Sequence, residues 1–172
     1  MLLGKFKEKS LYKSFHKKLN QMPDTRAPNS KEIHSVAILT TDKISSEIDI
    51  VNEIKSNFET VRNVHIYSFK KFKKSDPITY KHFSEKDFDW SGGVKNASFE
   101  SFLENPIDLL IGYFNKNNLY LEFAALQSNA GFKIGFANVN DKIFDLIVNE
   151  NPNNVASFIM VIKKYLELLR KI

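Results

Sequence analysis

Lys5, Lys9, Lys13 and Lys17 recur at every fourth position, with Lys18 beside the last of them. On an α-helix that interval keeps the ammonium groups along one side, where they would neutralise successive phosphates of a polyanion. Lys70, Lys71, Lys73 and Lys74 form a second cluster, interrupted by Phe72 and preceded by Phe69. Lysines interleaved with aromatic rings suit single-stranded nucleic acid, the charges following the backbone and the rings stacking on bases. The same residues also suit a solvated surface, so the chemistry they offer is electrostatic docking.

A third group is denser in reactive side chains. HFSEKDFDWSGG, from His82 to Gly93, places His82, Glu85, Asp87 and Asp89 around the only tryptophan, Trp90. A single histidine with three carboxylates lacks the paired-ligand spacing of metal motifs. The stretch reads better as a loop whose alternate acids face solvent while Phe83, Phe88 and Trp90 anchor it. His16, His34 and His65 stand alone, without a serine or aspartate in a triad setting. The glycine-rich dinucleotide fingerprint and the P-loop are absent from the sequence. With no cysteine there are no disulfides, thiolate nucleophiles or Cys-ligated metals. No catalytic residue, metal or cofactor is assigned, and an enzyme is the less expected reading.

Residues 1–32 hold eight Lys or Arg against three acids, a surplus of +5 that equals the net charge of all 172 residues. A basic arm is therefore joined to an electrically neutral body. Of the 25 basic residues only Arg26, Arg62 and Arg170 are arginines, so point charges predominate over the bidentate forks that read phosphate geometry. Apolar residues make up 42%, with 15 Phe, enough to fill one domain core. No stretch approaches the roughly 18 uninterrupted apolar residues of a membrane span. A cytoplasmic protein is expected.

The elements that must carry these groups follow from periodicity. Leu11, Phe15 and Leu19 fall four apart with Tyr12 beside them, which predicts a short basic amphipathic helix. Gln21 to Lys31, with two prolines, has the chemistry of a linker, giving an arm over 1–31 and one α/β domain over 32–172. SVAILTT from Ser35 is a strand buried on both faces. Ile48, Val51, Ile54 and Phe58 mark one helix after it, and Val64 to Phe69 a second strand. A helix over Ser98–Leu103, a strand from Asp108 to Phe114 and a helix from Leu119 ended by Gly131 come next. Strands over Phe132–Phe136 and Ile143–Val148 and a helix from Val155 to Leu169 complete the series.

This alternation predicts a small doubly wound, Rossmann- or flavodoxin-like fold: a mostly parallel five-stranded sheet, in the order 2-1-3-4-5, with helices on both faces. Ligands of such sheets sit beyond the strand ends where the order reverses, which singles out Thr40, Thr41, Asp42, Asn115 and Lys116. Polar residues also follow strands simply because turns need them.

FSEKDFDWSGGVKN from Phe83, DLLIGYFNKNNLYLEFAALQSNAGFKIGFAN from Asp108 and FDLIV from Phe144 together resemble the DUF6913 family of Bacteroidota bacteria. The likeness covers most of the chain, the arm included. It implies a cytoplasmic bacterial protein and brings no activity or site residues to carry over. A weaker likeness, in DLLI, Ala124-Ala125 and GFKIGF, is to the amino-terminal half of heptosyltransferase-type glycosyltransferases, and implies the fold alone.

The expectation that results is a non-enzymatic binding module whose basic arm docks on an acidic partner, RNA or a ribonucleoprotein such as the ribosome. Lys5, Lys9, Lys13, Lys17, Lys18, Lys70, Lys71, Lys73 and Lys74 would contact it. The alternative is a small-ligand enzyme or sensor that holds a nucleotide or phosphorylated metabolite in the strand-end crevice. A third reading has Leu11, Phe15 and Leu19 entering a groove on a partner protein.

Overall fold

The computed structural model describes residues 2–23, 31–75 and 81–172, and side chains from Gly4 onward. Most of the expected linker lies outside these residues. The elements are α1 (Leu2–Asn20), β1 (Ser35–Thr41), α2 (Asp42–Glu47), α3 (Ile50–Asn57), β2 (Asn63–Phe69), β3 (His82–Phe83), α4 (Ala97–Glu104), β4 (Ile107–Tyr113), α5 (Leu119–Gln127), β5 (Ala130–Phe136), β6 (Leu146–Val148) and α6 (Val155–Leu168). All strand pairs are parallel, in the order β3-β2-β1-β4-β5-β6. Without the two-residue β3 this is the expected 2-1-3-4-5.

The apolar runs are continuous because both sheet faces are covered. In β1, Ala37 and Leu39 point into one core with α1, α4 and α5, while Val36 and Ile38 enter a second core with α3 and α6. In β4, Leu110 joins the first core and Leu109, Ile111 and Tyr113 the second.

Side-chain oxygens start the helices. Asn96 accepts from Ser98 and Phe99 N–H, Asn118 from Tyr120 and Leu121 N–H, and Asn154 from Ser157 N–H. The single helix expected after β1 is two: Ile48 is extended, and Asp49 accepts from Asn52 N–H to begin α3 afresh. The last strand is shorter than expected, because Asp141–Ile143 forms a 3-10 turn and pairing starts at Leu146. Gly131 does not end α5, which stops at Gln127; it lies inside β5. The buried Lys133 of β5 donates to the carbonyls of Ala125 and Leu126 at 2.6 and 3.3 Å, satisfying orphan acceptors at the α5 carboxyl end.

The apolar stripe of α1 forms as predicted and packs on this chain's own body. Leu11, Phe15 and Leu19 are buried in the first core, and the Phe15 ring meets Phe123 edge-on at 5.7 Å. Their docking into a partner's groove is thereby overturned: the surface that reading requires is already covered.

Candidate polyanion-binding face

With its apolar stripe inward, α1 divides its lysines into two sets. Lys7 and Lys18 lie beside the stripe and reach the body. Lys7 Nζ donates to the Glu85 carbonyl at 2.7 Å; Lys18 Nζ donates to Gln127 Oε1 at 3.1 Å and stands 5.2 Å from the Phe123 ring centroid. Lys5, Lys9, Lys13 and Lys17 face away, exposed, and form no ion pair among the described residues.

The second basic cluster comes to the same edge of the sheet. Leaving β2, the chain from Lys70 is held by Phe72 N–H donating to Glu85 Oε2 at 3.1 Å. Glu85 thus fastens both basic elements, one through its main chain and one through its carboxylate. Lys71, Lys73 and Lys74 are exposed, whereas Lys70 is half-buried with Nζ 4.0 Å from Asp42 Oδ2. Phe72 remains 42% exposed, and Lys86 Nζ covers one face of its ring at 3.4 Å from the centroid.

The loop from Ser84 to Val94 separates these elements, and its acids serve the loop itself. Asp87 Oδ2 accepts from Ser84 N–H and Oγ at 2.7 and 2.9 Å. Asp89 Oδ1 accepts from Ser91 N–H, Ser91 Oγ and Gly93 N–H at 2.7–2.8 Å. Burial pushes the Asp89 carboxyl upward, but these hydrogen bonds outweigh it and hold the group below its ordinary range. His82 turns elsewhere, with Nε2 2.9 Å from Asp42 Oδ1. Three of the four candidate ligands therefore bind the loop or its neighbour, and the fourth binds the β1–α2 junction.

Phe83 and Phe88 are buried as expected; Trp90 is not. Its ring is 47% exposed at the loop tip, so its reading as an anchor is corrected: Gly92 occupies the place beneath Phe123 and leaves the tryptophan outside. Ser14 Oγ donates to the Ser91 carbonyl, which sets the loop tip against the flank of α1 that carries Lys7 and, one turn on from Ser14, Lys17 and Lys18. Exposed Phe6 and Tyr12 lie on the same helix. Lys86 and Trp90 were missed as contributors to this face, and the only sequence signal was their place next to residues with structural roles.

Electrostatics agree with this crowding. Burial and repulsion from Lys95 lower the Lys7 ammonium, opposed by Glu85, Asp89 and Asp87. Burial, with the charges of Glu8 and Glu85, pushes the Tyr120 hydroxyl up to about 12.

The strand-end residues are largely committed to the fold. Thr40 Oγ1 donates to the Tyr113 carbonyl at 2.8 Å, and Thr41 Oγ1 accepts from Ile44 N–H at the start of α2. Asp42 pairs with His82 and Lys70. Asn115 and Lys116 follow the neighbouring β4 and are not brought into that pairing. Beside Asp42, Ser45, Ser68, Lys81 and His82 border an open groove of about 600 Å³. Glu122, buried in α5, accepts from Asn118 N–H, and burial raises its carboxyl.

Among the described residues, no helix is long and apolar enough to cross a membrane. In comparison with protein families, residues 7–169 match the model of a family of unknown function, DUF6913. No curated protein and no solved structure matches the chain.

Proposed function

The chain belongs to DUF6913, a family of unknown function, and from that premise we propose that it is a non-enzymatic docking module for an acidic partner, RNA or a ribonucleoprotein such as the ribosome. One observation carries the reading: Glu85 holds the amino-terminal half of α1 and the Lys70–Lys74 segment at one edge. Two basic elements distant in sequence thereby present Lys5, Lys9, Lys13, Lys17, Lys71, Lys73 and Lys74 to solvent together. Lysines of this kind bind phosphates by releasing counterions, with modest geometric selectivity.

The test is RNA binding over a salt series by the protein and by a Lys9→Glu, Lys13→Glu, Lys17→Glu variant. Each phosphate contact contributes roughly 0.7 to the slope of log affinity against log salt for a single strand, so the variant shows a shallower slope and weaker binding. Equal affinity and slope for the two proteins at low salt would refute the reading.

The groove beside Asp42 favours a second reading, a site for a nucleotide or phosphorylated metabolite, with His82 oriented by the carboxylate. A ligand at 100 times its dissociation constant adds about 2.7 kcal/mol of stability. A thermal-shift panel of nucleotides and sugar phosphates decides it, and a flat response across the panel rejects it.

A further inference from the structure

An exposed tryptophan on a mobile tail needs no explanation, but Trp90 sits on a loop that is fixed throughout. Phe88 and Val94 close its base with a bridge, and Asp89 N–H donates to the Gly93 carbonyl at 2.8 Å. The Asp89 carboxylate fills its interior, as described above. Gly92 has a positive φ of 93° and lies beneath the Phe123 ring. Phe88, on the other side, is completely buried and stacks on Phe123 at 6.0 Å. Every neighbour of Trp90 is thus pinned, while its indole, the largest apolar surface in the loop, is presented to solvent.

A fixed backbone beneath an exposed aromatic removes in advance part of the entropy that binding would otherwise cost. Large, rigid aromatics of this kind are the anchors around which interfaces concentrate their energy. The chemistry of the surroundings selects the occupant. The Ser14–Ser91 contact sets the loop tip beside the flank of α1 that carries Lys7 and, one turn on from Ser14, Lys17 and Lys18. Phe72, another exposed ring at this edge, has the Lys86 ammonium over one face. Rings with cations beside them match a chain of phosphates that carries planar, unpaired bases. A duplex keeps its bases stacked on one another and offers nothing to the indole, and a simple polyphosphate has no bases.

We infer that Trp90 is a stacking platform for an unpaired base, so that the polyanion docking on the α1 face is single-stranded nucleic acid. This rests on the polyanion reading above and narrows it to one class of ligand.

Trp90 is the only tryptophan, so indole fluorescence reports on this ring alone. The probes are an oligouridylate of about 12 nucleotides, within the footprint of single-strand binders, a duplex of matched length and inorganic polyphosphate. Oligouridylate is expected to quench the indole, whereas duplex and polyphosphate bind without quenching. Trp90→Ala is expected to weaken oligouridylate binding about tenfold and leave polyphosphate affinity within about twofold, with Trp90→Phe restoring most of the loss. Its thermal midpoint should match that of the parent, since the ring is outside the core.

Salt-dependent oligouridylate binding without quenching, and unchanged in Trp90→Ala, overturns this inference and leaves the polyanion reading standing. So does equal quenching by polyphosphate. If Trp90→Ala abolishes ribosome co-sedimentation but not oligouridylate binding, the ring belongs to a protein contact and the inference fails. Failure of all three probes to bind removes both.

Discussion

Lys7 donates from Nζ to the main-chain carbonyl of Glu85 at 2.7 Å, across 78 residues of sequence. Because the acceptor is a carbonyl, the bond fixes α1 against the loop without consuming the Glu85 carboxylate, which is left to hold the main chain at Phe72. The lysines of α1 are therefore of two kinds, and the helix can be both fastened and cationic.

That division is measurable. Lys7→Met should lower stability by about 0.5–1 kcal/mol, the ordinary net worth of a part-exposed hydrogen bond. Lys9→Gln and Lys13→Gln should each stay within about 0.5 kcal/mol of the parent. Urea denaturation distinguishes them, and equal effects at all three positions would contradict the assignment of Lys7 as a tether.

Phe15→Ala should cost about 4 kcal/mol. The ring is fully packed against Phe123 at the centre of the first core, and its removal leaves a cavity that a sheet and two helices cannot close. Tyr12→Ala, on the exposed side of the same helix, should cost less than about 0.5 kcal/mol. The contrast also governs how binding is tested. Deleting residues 1–20 would uncover the core, so substitutions of the outward lysines are the informative variants.

How far the sequence disclosed this arrangement depends on which forces act locally. Helical spacing at Leu11, Phe15 and Leu19 was enough to place α1 and its inner face, and the doubly buried runs at Ser35 and Asp108 were enough to mark two central strands of a parallel sheet, while the order of the strands followed from the fold class and not from the residues. The break between α2 and α3 was less visible, since Ile48 continues the apolar period while Asp49 recruits the cap. β3 pairs only through Ser68–His82 and Phe69–Phe83, too short a ladder to leave a periodic trace. The candidate face was legible as charge but not as shape. Nothing in the spacing shows that Glu85 joins the two basic segments, or that Gly92 takes the space beneath Phe123 that an anchoring tryptophan would need.

Acid should weaken the fold through Asp108 and Asp89. Asp108 Oδ2 accepts from His34 N–H, Ser35 N–H and Ser35 Oγ at 3.0, 2.9 and 2.7 Å, tying the start of β1 to β4. Burial raises its carboxyl, but these bonds prevail and hold it below the ordinary value of 3.8. A depressed folded-state pKa stabilises the protein above the unfolded value, and that contribution disappears as pH falls from there through the folded value. Chemical denaturation between neutrality and about pH 2 should show the loss. Asp108→Ala should lower stability near neutral pH by about 1 kcal/mol, screened by solvent at this part-exposed position, and flatten the acid slope. An unchanged slope would remove Asp108 from the account.

Gly92→Ala should disturb stability and the proposed binding face together. The backbone there has φ of 93°, a region that L-residues enter at a cost of about 1–2 kcal/mol. A methyl group would also overlap the Phe123 ring, which is buried among Phe15 and Phe88 and has no room to withdraw. The two effects together should cost about 3 kcal/mol. Space can be supplied independently by Phe123→Ala, which is itself destabilising. In that background the steric part of the Gly92→Ala cost should vanish and the backbone part remain, a coupling of about 1–2 kcal/mol in a double-mutant cycle. Additive costs would mean that the loop yields elsewhere. The indole emission of Gly92→Ala should then shift from that of the parent, because a loop that yields to the methyl group carries Trp90 with it.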